Sequence, residues 1–200
     1  MSMEFVESFM RFVFSDEDVF IIENDPLVKE TEGVKSCECV VLINEKVALI
    51  EAKSSSPKPD SKEDFDTFIE DIKEKFVTSL RLFSEIRGKQ HGQEAFERLP
   101  IRLQEYDLSD EQYGIYLIIH GNDESWMGGL QDALREALRD VIEQWNIDDV
   151  NVKALNHTMA KELKLIVDYI PMDVLSAIKQ PKDDTEQHRR NAEEWFRKNG

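Results

Sequence analysis

Apolar residues recur along the chain with two periods, and the switches between them mark out the elements. Residues 2–14 carry Phe5, Val6, Phe9, Met10, Phe12 and Val13 as a broad stripe interrupted by Glu4, Glu7 and Arg11, a pattern that predicts an amphipathic helix. Val19 to Ile22 is a short β-branched and aromatic run, a first strand ended by Asn24, Asp25 and Pro26. Two apolar runs follow, Cys37 to Ile43 and Val47 to Ile50, separated by Asn44, Glu45 and Lys46, which is the signature of a hairpin. Both faces of both strands are largely apolar, so the hairpin belongs in the middle of a covered sheet. Phe65, Phe68, Ile69, Ile72, Phe76, Leu80 and Phe83 then keep three- and four-residue spacing, predicting a long helix that stops near Gly88.

Residues 89–110 read as irregular, with a helical turn near Glu94 to Arg98. Tyr113 to Ile119 is a buried strand and 124–145 a second strong helix. Val150 to Leu155 and Leu163 to Ile170 are candidates for two more strands, and the chain after Pro171 reads as helical, ending in a charged helix over 182–200 anchored by Trp195 and Phe196. Strands alternating with long helices predict an α/β fold, a central mixed sheet flanked by helices on both faces. Residues 1–170 make the domain and 171–200 a C-terminal helical extension.

Composition bounds the function. Forty per cent hydrophobic residues in 200 suffice for a core, while 25 basic against 42 acidic residues give a formal charge of −17. Such a surface repels phosphates unless basic residues are focused locally or supplied by a partner. No apolar run approaches the roughly 18 residues of a membrane span, and acidic residues enter the N-terminal stripe too early for a secretory signal. Cys37 and Cys39, two apart in a strand, are expected to share a face. Such close neighbours rarely bond, so a reducing cytoplasm is the expected compartment.

Against the apolar hairpin, Glu38, Glu51 and Lys53 stand out. A turn centred between Asn44 and Glu45 pairs Ile43 with Lys46 and brings Glu38 opposite Glu51, with Cβ atoms about 4.5–5.5 Å apart. Lys53 shares that face by strand alternation. Two carboxylates closing on one another raise each other's pKa or take a cation, and Mg²⁺ or Mn²⁺ suits oxygen ligands. A nearby ammonium can orient a water or stabilise charge developing on a phosphate.

An acid, a strand, a turn and a second strand bearing Glu51, Ala52 and Lys53 resemble the PD-(D/E)XK, or restriction-endonuclease-like, nuclease superfamily. The resemblance implies an αβββαβ core. It implies that Glu38 and Glu51 hold the metal with help from the Ala52 carbonyl, and that Lys53 assists catalysis. An acid from the first helix often joins them, for which Glu7 is the candidate, with Glu4 behind it. The implied activity is metal-dependent hydrolysis of DNA or RNA, within a complex whose more basic partner delivers the nucleic acid; antiviral defence assemblies use such nucleases. Glu38 stands where the family usually has Asp, and the family's Pro is missing. The competing expectation for the triad is an ion pair at a fraying hairpin end. The competing function is a non-catalytic acidic protein that binds a basic partner.

The remaining candidates are weaker. Acid-x-Lys also occurs at Asp60 to Lys62, Asp71 to Lys73 and Glu162 to Lys164. His120 ends a strand and reads first as a turn residue. His91, His157 and His188 have no metal spacing, and Ser54, Ser55 and Ser56 lack a base and a glycine elbow. Lys58, Lys62, Arg81, Arg87 and Lys89 are scattered among acids and form no basic stripe.

Overall fold

The computed structural model describes residues 1–107, 113–177 and 185–199. The chain opens with two strands, β1 (Ser2–Glu7) and β2 (Met10–Ser15), where a helix is expected. The stripe that fits a helical period also fits a period of two. Met10 and Phe12 are fully buried while Arg11 and Val13 are not, and Phe5 pairs with Phe12 and stacks on it at 4.9 Å. The turn between the strands, Ser8 and Phe9, has φ of 48° and 64°. Two successive positive φ values fit the right-handed twist of a hairpin, but they normally call for Asn or Gly, so this sequence conceals the turn. Burial of Phe9 among Val6, Ile170, Ala192 and Phe196 offsets the cost.

After β3 (Val19–Phe20) come a 3-10 turn at Ile22–Asn24 and a short helix, α1 (Pro26–Lys29), capped by Asp25. The expected hairpin follows as β4 (Cys39–Ile43) and β5 (Lys46–Lys53), with Ile43 opposite Lys46 and Cys39 opposite Ile50. Its turn residues Asn44 and Glu45 again have positive φ. The ladder ends at Cys39: the Glu38 N–H donates to the Ile50 carbonyl at 2.9 Å, so the chain steps out of register there. Cys37 consequently packs in one core and Cys39 in the other, not on a shared face; both are free thiols.

The long helix α2 (Lys62–Arg87) is followed by two short ones, α3 (Gln93–Glu97) and α4 (Ile101–Glu105). The buried strand β6 (Tyr113–Ile119) runs parallel to β5. The second long helix is broken at Leu138 into α5 (Glu124–Ala137) and α6 (Arg139–Gln144). Then come β7 (Val152–Asn156), parallel to β6, and α7 (His157–Glu162), capped by the Asn156 side chain. Only two residues of the strand expected over 163–170 pair, β8 (Asp168–Tyr169), and they pair with β2. The helices α8 (Met172–Ala177) and α9 (Thr185–Asn199) complete the described chain.

The result is a five-stranded mixed sheet in the order β3-β4-β5-β6-β7 beside a three-stranded sheet β1-β2-β8. Most of the helices cover one face of the larger sheet: α2, α3, α4, α5 and α6 pack there against Val40, Leu49, Ile115 and Leu117. The other face carries Val41, Ile50 and Ile118 and is covered mainly by Met10 and Phe12 of the small sheet, with Ala160 of α7 as its helical contribution. No leading helix of an αβββαβ order is present, because the N-terminal hairpin takes its place among the described residues. No helix is long and apolar enough to cross a membrane, among the described residues.

Candidate metal and catalytic centre

β5 alternates strictly. Ala48, Ile50 and Ala52 face the small sheet, so Glu51 and Lys53 face the helical side, over which α2 runs. Glu51 is fully buried there. Its Oε1 takes two ammonium groups, the Nζ atoms of Lys53 and of Lys75 on α2, each at 2.6 Å. Its Oε2 is buried and has no hydrogen-bond partner among the described residues. Burial works against the charge on Lys75, but attraction to Glu51 and the hydrogen bond with it prevail, raising the lysine's pKa.

Glu38 is the adjoining group. Burial comes first in pushing its pKa well above the carboxylate range, followed by the negative charges of Glu51, Glu7 and Glu23 and a hydrogen bond with Glu23. Two carboxyl groups that share a hydrogen bond need a proton between them, and Glu38 is the one inclined to carry it. Glu7, Glu23 and Glu38 each bring an oxygen within 4.8 Å of the others.

Glu7 reaches this cluster from the end of β1, at a hairpin turn, and not from a helix. Its Oε1 accepts from the Ser8 N–H at 3.0 Å and lies 3.2 Å from the Ser8 hydroxyl, whose single proton it shares with the Ala52 carbonyl, also at 3.2 Å. Its Oε2 accepts from Arg189 of α9, Nη2 at 2.6 Å and Nε at 3.2 Å. Arg189 Nη2 also lies 3.4 Å from Glu23 Oε1. A cavity of about 180 Å³ opens beside these groups, lined by Ser8, Ala52, Lys53, Ser54, His188 and Arg189 among others.

Expected residues and structure can be matched one by one. Glu51 and Lys53 meet directly, and Glu38 lies close enough for Glu51 to be the leading charge acting on it. Glu7 joins Glu38, and Ala52 presents its carbonyl to Ser8. Glu4 is apart, half-exposed and bonded to Arg11 at 3.5 Å. His120 is buried behind the site, its Nε2 2.6 Å from the Ile170 carbonyl and its ring 4.9 Å from that of His157. Burial lowers its pKa to about 4.

Lys75, Glu23, Ser8 and Arg189 have no place among the expected residues. Lys75 carried a signal, since it sits in the apolar stripe of its helix, three residues after Ile72 and four before Ser79, both fully buried. Glu23 sits in a three-residue turn with no local signature, and Arg189 in a strongly charged helix, three residues before the buried Ala192 and seven before Phe196.

Four carboxyl groups, Glu7, Glu23, Glu38 and Glu51, thus face three cations, Lys53, Lys75 and Arg189, and the set balances when Glu38 holds a proton. The chain matches no model of a known protein family, no curated protein and no solved structure.

Proposed function

We propose that the chain is a metal-dependent phosphodiesterase domain of the restriction-endonuclease-like kind, in which Glu38 and Glu51 hold Mg²⁺ or Mn²⁺. The observation that carries this is Glu51 Oε2, an acceptor buried at the end of the central sheet with no partner among the described residues, beside a second buried acid. A buried acceptor left unsatisfied is costly, and a divalent ion would satisfy it. The donor set is all oxygen, which fits Mg²⁺ or Mn²⁺ and not a softer metal. Hairpin, crossover helix and parallel strand also follow in the order the resemblance implies, without its leading helix.

Bound there, the ion would supply Lewis-acid charge for a phosphoryl oxygen and a more acidic water. Lys53 and Lys75 share Oε1 of Glu51, so Lys53 can turn towards a substrate phosphate through the adjoining cavity while Lys75 keeps Glu51 oriented. Lys53 then stabilises charge at the reacting phosphate, and Glu7 and the Ala52 carbonyl stand nearby as further oxygen donors.

A second reading is supported by a groove of about 550 Å³ between β1 and β3. Besides Glu7 and Glu23 it carries Glu4, Asp16 and Glu193, against Arg98 and Arg189. Such a groove suits a basic protein segment better than a nucleic acid.

Incubation with labelled DNA and RNA plus Mn²⁺, alone and with the products of neighbouring genes, separates the two. Cutting that falls about a hundredfold or more in Lys53→Ala and Glu51→Ala is the enzyme's signature. Intact substrate in every combination, with the wild type folded, rejects the enzyme and leaves the binder.

A further inference from the structure

The guanidinium of Arg189 lies where the acids converge. It makes both hydrogen bonds to Glu7 Oε2 and approaches Glu23 as well, while Lys53 and Lys75 are engaged with Glu51. Neutralising the Glu7–Glu23 half of the site therefore falls to α9. The oxygens of Glu7, Glu23 and Glu38, within 4.8 Å of one another, span a distance that a divalent ion closes with ligands at about 2.0–2.6 Å. An ion among these carboxylates and a guanidinium bonded to two of them compete for the same negative charge and repel as like charges in a half-buried place.

Granting the metal binding proposed above, with Glu7 and Glu23 joining Glu38 as oxygen ligands, we infer that Arg189 is an internal competitor for the cation. It holds the acidic half of the site in the metal-free chain, and a divalent ion releases it from Glu7 and Glu23. Ala192 and Phe196 stay packed on Val6 and Phe9, so release loosens the first turns of α9 and leaves its apolar anchor in place. The coupling is reciprocal: whatever draws α9 away tightens the ion, and the ion weakens the hold of α9.

The test titrates Mn²⁺ by calorimetry into the wild type, Arg189→Gln and Arg189→Lys, and follows amide hydrogen exchange of residues 185–199 in the wild type with and without Mn²⁺. Arg189→Gln is expected to bind Mn²⁺ about tenfold tighter or more, with Arg189→Lys close to the wild type. Amides over 185–191 are expected to exchange faster when Mn²⁺ is present. Equal affinities in all three chains with unchanged exchange overturn the competition and leave metal binding standing. A folded Arg189→Gln that binds no Mn²⁺ overturns both. Should Arg189→Gln fail to fold, the exchange of the wild type decides, and protection of α9 unaltered at saturating Mn²⁺ overturns the inference.

Discussion

The two halves of the acidic site are neutralised in opposite ways. Glu51 stands on the central strand, fully buried, and receives its two cations from β5 itself and from the helix packed directly over it. Glu7, Glu23 and Glu38 come from a hairpin end, a 3-10 turn and the point where β4 leaves its ladder; their cation arrives from α9, on a side chain 40% exposed. The first half is part of the core and fixed by it. The second is assembled from element ends and balanced by a proton and a replaceable arginine. On the proposed reading the site must hold still and yet exchange a cation, and these requirements fall to different residues.

The contrast breaks most visibly at Glu51. Glu51→Gln leaves Lys53 and Lys75 facing a neutral amide, and urea unfolding is expected to show a loss of about 3–5 kcal/mol. A loss under about 1 kcal/mol would mean that this half is no more fixed than the other.

The acid limb of the pH profile must next be separated from the site. His120 has its pKa lowered to about 4 by burial, from an ordinary 6.5. The unfolded chain therefore binds the extra proton first, and stability is lost as pH falls below 6.5. The loss reaches about 3 kcal/mol at pH 4, and a stability curve for His120→Gln should lack it.

Glu38 acts with the opposite sign. Its raised pKa means that the folded chain binds the proton more tightly, so its contribution is full below about 4.5 and is lost as pH rises, at up to about 1.4 kcal/mol per pH unit. Glu38→Gln keeps the neutral form at every pH. Its stability relative to wild type should climb with pH, and parallel curves would show that Glu38 carries no proton. The smallest effect belongs to Arg189→Gln, about 1 kcal/mol or less, because a half-exposed ion pair is screened; a loss as large as that of Glu51→Gln would erase the difference between the halves.

How much of this was legible in the sequence follows the same division. The β4–β5 hairpin, its turn and its register from Cys39 to Ile43 are readable because alternation, an Asn at a positive-φ position and the apolar runs agree, and Glu51 with Lys53 comes with them; the expected pairing of Glu38 with Glu51 fails because the ladder ends at Cys39. The N-terminal hairpin is not readable, since the alternation of Met10, Phe12 and Phe14 is masked by the helical spacing of Phe5, Phe9 and Phe12, and Ser8–Phe9 is an atypical turn. The helical period puts Glu7 on a helix, whereas it stands at the end of β1 beside Glu23 and Glu38. Glu23 and Arg189 meet across 166 positions, a proximity that only tertiary packing creates.

Synthesis runs from the amino end, so the order of these groups along the chain is also an order in time. Glu7, Glu23, Glu38 and Glu51 leave the ribosome well before Arg189 exists. A nascent chain thus makes its four acids before the guanidinium that balances two of them, and under the proposed competition a small cation could reach them first.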